Sequence, residues 1–129
     1  MQIDVKENET GYLFPIDFEK LPFTPKRAFV VTNKNKNVIR GRHAHINEQH
    51  YLICLNGKVQ IKFESADLNE VFFMGVGNSL YQKELEWFQI EFVEEQTMLL
   101  VFADKEFNEN RYVRDYEEFK KMIRGKRYD

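Results

Sequence analysis

The sequence has little cysteine, proline and glycine. Among its 129 residues there are one cysteine, three prolines and six glycines. A single cysteine, Cys54, excludes an intrachain disulfide framework and any zinc site built from cysteine ligands. Because Cys54 lies within the apolar run 51–55, we predict a buried thiol rather than a nucleophile, which needs polar and partly exposed surroundings.

An excess of one charge and a long apolar run are also missing. The 19 Lys and Arg residues nearly balance the 21 Asp and Glu residues, for a net charge of −2, which argues against a nucleic-acid-binding protein. The longest apolar run, 98–103, falls far short of the ~20 residues that span a bilayer. The N-terminus shows no basic stretch followed by an apolar one. We therefore expect no membrane span, no signal peptide and a cytoplasmic protein.

What the chain does contain is a high proportion of aromatic residues, 15%, arranged in short runs between glycines and asparagines. These runs predict one domain over residues 1–129, rich in antiparallel strands, as in a β-sandwich or small barrel. The pair Asn56-Gly57 predicts a two-residue hairpin turn of type I′. The predicted strands are 29–32, 38–41, 51–55, 59–63, 71–74, 87–92 and 98–102, the last of them buried on both sides.

The two ends of the chain differ from this pattern. Near the C-terminus, Tyr116, Phe119 and Ile123 recur at helical spacing, so we predict a helix with Asp115 as its N-cap and Gly125 as its stop. Near the N-terminus, segment 12–16 is strongly apolar without an obvious core partner. We expect it to pair with a second copy of the chain in a homodimer.

All three histidines fall within eight residues, at positions 43, 45 and 50. Side chains alternate along a strand, so His43 and His45 should share a face, where they can form half a metal site or an acid–base pair. His50 has the wrong parity relative to His45 unless a turn intervenes. Because no histidine follows His50, we favour proton transfer, and a metal held through these histidines or Glu48 is the alternative.

The segment Arg-Gly-Arg-His-Ala-His, residues 40–45, carries a family resemblance. Followed by a strand, Asn-Gly and another strand, it resembles the first motif of the cupins, jelly-roll barrels that often hold a metal. Together with 51–59, Trp87 and 111–119, it closely resembles the metal-independent cupin family of sugar-nucleotide 3,4-ketoisomerases. The resemblance covers residues 25–120 in order and spacing.

This resemblance implies an all-β cupin jelly-roll barrel of short antiparallel strands with a C-terminal α-helix. It implies an isomerase, without metal or cofactor, that converts dTDP-4-keto-6-deoxyglucose into a dTDP-3-keto-6-deoxyhexose through an enediol. That product would lead to a 3-amino-3,6-dideoxy sugar of a surface glycan such as lipopolysaccharide. In this family His45 would be the base and His43 its partner. Substrate-binding candidates are Arg40, Arg42, Arg27, Trp87, Tyr81 and Tyr112.

Strand alternation points Arg40 and Arg42 away from His43, so they reach its pocket only if Gly41 kinks the strand or a neighbouring subunit presents them. The alternatives to a 3,4-ketoisomerase are a metal-dependent cupin enzyme and a non-catalytic module that binds a sugar nucleotide.

Overall fold

The computed structural model describes residues 3–127, with side chains described as far as residue 124. Short 3₁₀ turns lie at Phe18–Lys20 and Glu109–Arg111. The strands are β1 (Lys6–Asn8), β2 (Gly11–Leu13), β3 (Arg27–Thr32), β4 (Val38–His45), β5 (His50–Asn56), β6 (Val59–Glu64), β7 (Asn69–Met74), β8 (Ser79–Gln82), β9 (Trp87–Phe92), β10 (Met98–Ala103) and β11 (Tyr112–Val113), and the helix is α1 (Tyr116–Arg127).

Two antiparallel sheets face each other. One has the strand order β3-β10-β5-β8 and the other β11-β4-β9-β6-β7, while β1 and β2 form a separate hairpin. This arrangement confirms the predicted all-β cupin jelly roll with a C-terminal helix. The core between the sheets consists of Leu52, Cys54, Val59, Ile61, Phe63, Met74, Phe88, Phe92, Leu99 and Val101.

Residue alternation places these side chains inward. In β6, Val59, Ile61 and Phe63 are buried, whereas Lys62 between them is exposed. Strand β10 is apolar on both faces and mostly buried, as predicted, but Met98 at its start is 37% exposed. The pairing with β5 shifts register directly after Met98, so this residue lies at the frayed start of the strand. Cys54 is fully buried, as predicted, and burial raises the pKa of its thiol to about 11.

The predicted hairpin at Asn56-Gly57 is wrong. Strand β5 pairs with β10 and β8, and β6 pairs with β7 and β9, so the link between them crosses from one sheet to the other. The glycine is needed for a different reason. Gly57 has φ +79°, and a Cβ there would come within 2.2 Å of Thr97 Oγ1 and 2.8 Å of Thr97 Cα. Gly57 therefore permits a close approach to Thr97 rather than a type I′ turn.

The C-terminal helix begins as predicted but ends later. The Asp115 carboxylate accepts a hydrogen bond from the backbone N–H of Glu117 at 2.9 Å, which confirms Asp115 as the N-cap. The predicted stop at Gly125 is wrong, because the helix continues to Arg127. Glycine inside a helix costs only about 1 kcal/mol, so it permits an end without imposing one. Phe119 and Ile123 pack against the outer face of the five-stranded sheet.

The N-terminal segment covers the outer face of the other sheet only in part. Ile16 packs against Tyr51 and Ile53, whereas Tyr12 and Leu13 in the β1–β2 hairpin are 52% and 64% exposed. Among the helices of residues 3–127, none is long and apolar enough to cross a membrane.

Candidate active site

A cavity of about 260 Å³ opens between the two sheets. Its floor is apolar and is formed by side chains such as Phe29, Leu52 and Phe88. Polar groups converge on it from His43, His50, Arg40, Gln82, Tyr112 and Arg114. An apolar pocket with a few convergent polar groups is the usual form of a small-molecule site.

The three histidine rings form a row beside this cavity. The ring centroids of His43 and His45 are 4.7 Å apart, and those of His45 and His50 are 3.9 Å apart. The contact between His43 and His45 confirms that they share a face of β4. Tyr112 packs across the row, with its centroid 5.0 Å from His43 and 4.7 Å from His45. His43 and His50 line the cavity, whereas His45 between them is fully buried.

A tight turn between β4 and β5 brings His50 into the row. Asn47 adopts φ +54°, and its backbone N–H donates to Glu84 Oε2 at 2.8 Å. The backbone N–H of Gln49 donates to Asp104 Oδ1 at 2.9 Å, and its side-chain amide donates to Asp104 Oδ2 at 2.8 Å. Strand parity predicts that His50 faces away from His45 unless a turn intervenes, and the structure contains that turn. Asn47 was the available signal of a turn, since asparagine tolerates the left-handed conformation.

The buried carboxylate of Glu48 ties this turn to the site. His50 Nε2 lies 2.6 Å from Glu48 Oε2, and Arg111 Nε donates to Glu48 Oε1 at 3.1 Å. Arg27 Nη2 lies 3.7 Å from Glu48 Oε2 and donates to the Tyr112 hydroxyl at 3.0 Å. Two guanidinium groups and an imidazole thus compensate for the burial of one carboxylate.

Burial keeps all three imidazoles neutral near pH 7. Desolvation lowers the pKa of His43 to about 4, with further lowering by the positive charge of Arg114. Desolvation also lowers the pKa of His45 far below its ordinary value and lowers that of His50, although the hydrogen bond that His50 donates to Glu48 opposes this second shift. Neutral imidazoles can accept protons.

Several nitrogen atoms in the row have no hydrogen-bond partner in the structure. Among the described residues, nothing bonds to the buried Nδ1 of His43 or to either ring nitrogen of His45. Buried polar atoms are nearly always satisfied, so unsatisfied ones call for a specific explanation. Of the two residues only His43 lines the cavity, and His45 lies buried directly behind it.

A bulge at Gly41 decides which arginine reaches the cavity. Gly41 has φ +67°, and the pairing of β4 with β9 shifts register between Arg40 and His43. Arg40 consequently lines the cavity together with His43. Arg42 lies instead in a second hollow on the other face of the sheet.

The remaining predicted site residues lie apart from the cavity. Trp87 shares the second hollow with Arg42 and is largely buried against Phe119 and Tyr116. Tyr81 hydrogen-bonds to Gln49 in the turn and is not part of the cavity wall. The structure therefore brings Arg40, His43 and Tyr112 together at the cavity, with His45 and Arg27 directly behind them, and leaves Arg42, Trp87 and Tyr81 outside.

One group of side chains has the spacing of a metal site. Donor atoms of His45, Glu48 and His50 all lie within 4.8 Å of one another. However, Glu48 is already bound by His50 and Arg111, and Arg27 lies close to the same carboxylate. Two guanidinium charges beside this position repel a dication, so these residues do not fit a metal centre.

Comparison with known proteins decides the family. A family model described as "FdtA: WxcM-like, C-terminal" matches residues 1–124. The chain belongs to this family. One relative of this FdtA-family chain is TDP-4-oxo-6-deoxy-alpha-D-glucose-3,4-oxoisomerase from Aneurinibacillus thermoaerophilus, with 28% identity over 115 residues, covering 88% of this chain and 83% of the relative.

Solved structures resemble this FdtA-family chain closely. QdtA, a sugar 3,4-ketoisomerase from Thermoanaerobacterium thermosaccharolyticum solved with TDP, matches with a TM-score of 0.87 and 28% identity, covering 97% of this chain and 93% of QdtA. A histidine-to-asparagine mutant of QdtA, solved with TDP-4-keto-6-deoxyglucose, matches with a TM-score of 0.87 and 28% identity, covering 96% and 91% of the two chains.

Proposed function

We propose that this protein is a sugar-nucleotide 3,4-ketoisomerase that acts on TDP-4-keto-6-deoxyglucose. The isomerase would move the carbonyl group from carbon 4 to carbon 3 of the hexose. The observation that carries the proposal is the row of neutral histidines beside the cavity, in a chain whose relatives are 3,4-ketoisomerases. The reaction is a set of proton transfers, and histidine is the side chain best suited to them near pH 7.

The proton on carbon 3 is acidified by the neighbouring ketone. A base removes it, an enediol forms, and a proton returns at carbon 4. We assign the removal of this carbon-bound proton to His45 as the base, with His43 as its partner. The support is that His43 lines the cavity and that the ring of His45 contacts the ring of His43. In addition, three of the four ring nitrogens of these two residues lack a hydrogen-bond partner among the described residues. A positioned base of this kind contributes about 10²–10⁴-fold to the rate.

The phosphates of the substrate require fixed positive charge. Arg40 lines the cavity next to His43, and its guanidinium has no ion pair among the described side chains. A free guanidinium fork suits phosphate oxygens. We therefore propose that Arg40 binds the pyrophosphate. Arg114 lines the same cavity, but Glu109 already binds it at 2.6 and 2.9 Å.

We further propose a homodimer that works in the cytoplasm. The exposed apolar side chains of Tyr12 and Leu13, on a hairpin that joins neither main sheet, support the dimer. The lone buried thiol of Cys54 is typical of a reducing compartment. Light scattering at micromolar concentration tests the dimer, and a monomeric mass would contradict it.

The deciding experiment is incubation of the purified protein with TDP-4-keto-6-deoxyglucose. Proton NMR should show a 3-keto product, and its ring-proton couplings report the configuration at carbon 4. Heat-denatured protein is the control. Binding of the substrate without product and without deuterium exchange at carbon 3 would indicate the non-catalytic binding module instead.

Donor atoms of His45, Glu48 and His50 lie within 4.8 Å of one another, which makes a metal-dependent cupin enzyme the second candidate although the arginines beside Glu48 oppose a dication. Dialysis against EDTA, followed by metal analysis and assay, separates the two. We expect full turnover after chelation. Loss of turnover that added Mn²⁺, Fe²⁺ or Zn²⁺ restores would favour the metal enzyme.

A further inference from the structure

His50 and Glu48 form a hydrogen-bonded pair that the proposed reaction does not yet use. Their closest atoms, His50 Nε2 and Glu48 Oε2, are 2.6 Å apart. A carboxylate can only accept, so Nε2 carries the proton and Nδ1 of His50 is left as an acceptor. His50 lines the cavity, and no group among residues 3–127 bonds to its Nδ1. An imidazole held this way by a carboxylate is ready to act as a general base.

The isomerisation needs more than one proton-transfer group. A proton leaves carbon 3 and a proton arrives at carbon 4, while the oxygen on carbon 3 loses its proton and the oxygen on carbon 4 gains one. The carbon-bound proton lies on a face of the sugar ring, whereas the two oxygens lie side by side at its edge. One imidazole pair cannot serve both positions at once.

We propose that His50, oriented by Glu48, carries the proton between the two substrate oxygens, while His43 and His45 handle the proton on the carbons. This inference rests on the proposed function. His50 is then a catalytic residue, and Glu48 is a positioning residue that acts through it.

The step balances without a co-reactant. After the proton leaves carbon 3, its electron pair forms the carbon 3–carbon 4 double bond, and the carbonyl electrons move to the oxygen on carbon 4. The Nδ1 lone pair of His50 then takes the proton from the oxygen on carbon 3. The electrons of that O–H bond form the new carbonyl at carbon 3, and the double-bond electrons take up a proton at carbon 4. The imidazolium of His50 returns its proton to the oxygen on carbon 4 and is neutral again.

The surroundings of the pair suit this cycle. Burial lowers the pKa of His50, so its ring begins the cycle neutral and able to accept a proton. The Glu48 carboxylate stabilises the imidazolium while it exists. Arg111 holds the other carboxylate oxygen at 3.1 Å, which keeps Glu48 aligned with His50. The positive charge of Arg27, 3.7 Å from the same carboxylate, lowers the pKa of His50, so the imidazolium can release its proton again.

The test compares product formation with deuterium exchange at carbon 3 in D₂O. In His50→Gln we expect product formation to fall about 10²–10³-fold, while exchange at carbon 3 stays within about threefold of the wild type. Glu48→Gln should shift the same ratio in the same direction by about tenfold or more, because it removes the charge that orients His50 and stabilises its imidazolium. Glu95→Gln removes a carboxylate from an exposed position and should match the wild type.

Each outcome decides one question. Exchange and product formation that fall in parallel, or that stay at the wild-type level, would overturn the role of His50. If circular dichroism shows that His50→Gln does not fold, Glu48→Gln makes the same comparison. A wild-type protein that shows neither product nor exchange would overturn the proposed function itself.

Discussion

Arg40 and His43 line the same cavity although they are three positions apart on one strand. In a regular strand an odd separation puts two side chains on opposite faces. Gly41, at φ +67°, interrupts the alternation, and the pairing with β9 shifts register at this point. The bulge turns Arg40 inward and leaves Arg42 on the outer face.

Arg40 and Arg42 should therefore differ in their effect on substrate binding. Arg40→Met should raise KM about 10- to 100-fold, because a hydrogen bond to a charged group is worth about 1.5–3 kcal/mol. Arg42→Met, the matched change on the opposite face, should leave KM within about twofold. Steady-state kinetics with TDP-4-keto-6-deoxyglucose measure both. Equal losses in the two variants would contradict the placement, and would instead favour an Arg42 that reaches a neighbouring subunit.

Gly57 should tolerate no side chain. A Cβ at this position overlaps both Oγ1 and Cα of Thr97, and the positive φ adds strain. We expect Gly57→Ala to lower the free energy of unfolding by about 1–3 kcal/mol in urea denaturation. Gly75→Ala is the matched control, because the nearest atom to its Cβ, Asn78 Oδ1, is 3.9 Å away. Addition of Thr97→Ala should not rescue the variant, because the backbone Cα of Thr97 still lies at 2.8 Å. A full rescue would show that the side chain alone causes the clash.

The same glycine shows how far sequence reasoning reaches. The alternation of Val59, Ile61 and Phe63 and the shared face of His43 and His45 depend on neighbours two residues away, so they could be predicted. The link at Gly57 depends on Thr97, 40 residues later in the chain. His50 likewise depends on Asp104, which holds the turn before it. Contacts this distant in sequence leave no periodic pattern behind them.

Acid should destabilise the folded protein because its histidines are buried in neutral form. The pKa of His43 is about 4 in the folded protein, against about 6.5 in an unfolded chain. Below pH 6.5 the unfolded chain therefore binds the additional proton, and stability that is present above pH 7 is lost as the pH falls toward 4. Each such histidine contributes up to about 1.4 kcal/mol per pH unit.

Urea denaturation at pH 5.5, 6 and 7 measures this slope. The His43→Gln variant should show a shallower dependence of unfolding free energy on pH than the wild type, because one of the three buried imidazoles is gone. Identical slopes would mean that His43 has the same pKa in the folded and unfolded protein, contrary to its burial in neutral form.

His45 should be needed for turnover but not for folding. Neither of its ring nitrogens has a hydrogen-bond partner among the described residues, so His45→Asn breaks no hydrogen bond there and costs only packing against His43 and His50. We expect kcat to fall at least about 10²-fold, with circular dichroism, the thermal midpoint and TDP affinity close to the wild type. His43→Asn is the matched comparison, because it removes the partner ring that lines the cavity. Near-normal turnover in His45→Asn, together with a large loss in His43→Asn, would transfer the role of the base to His43.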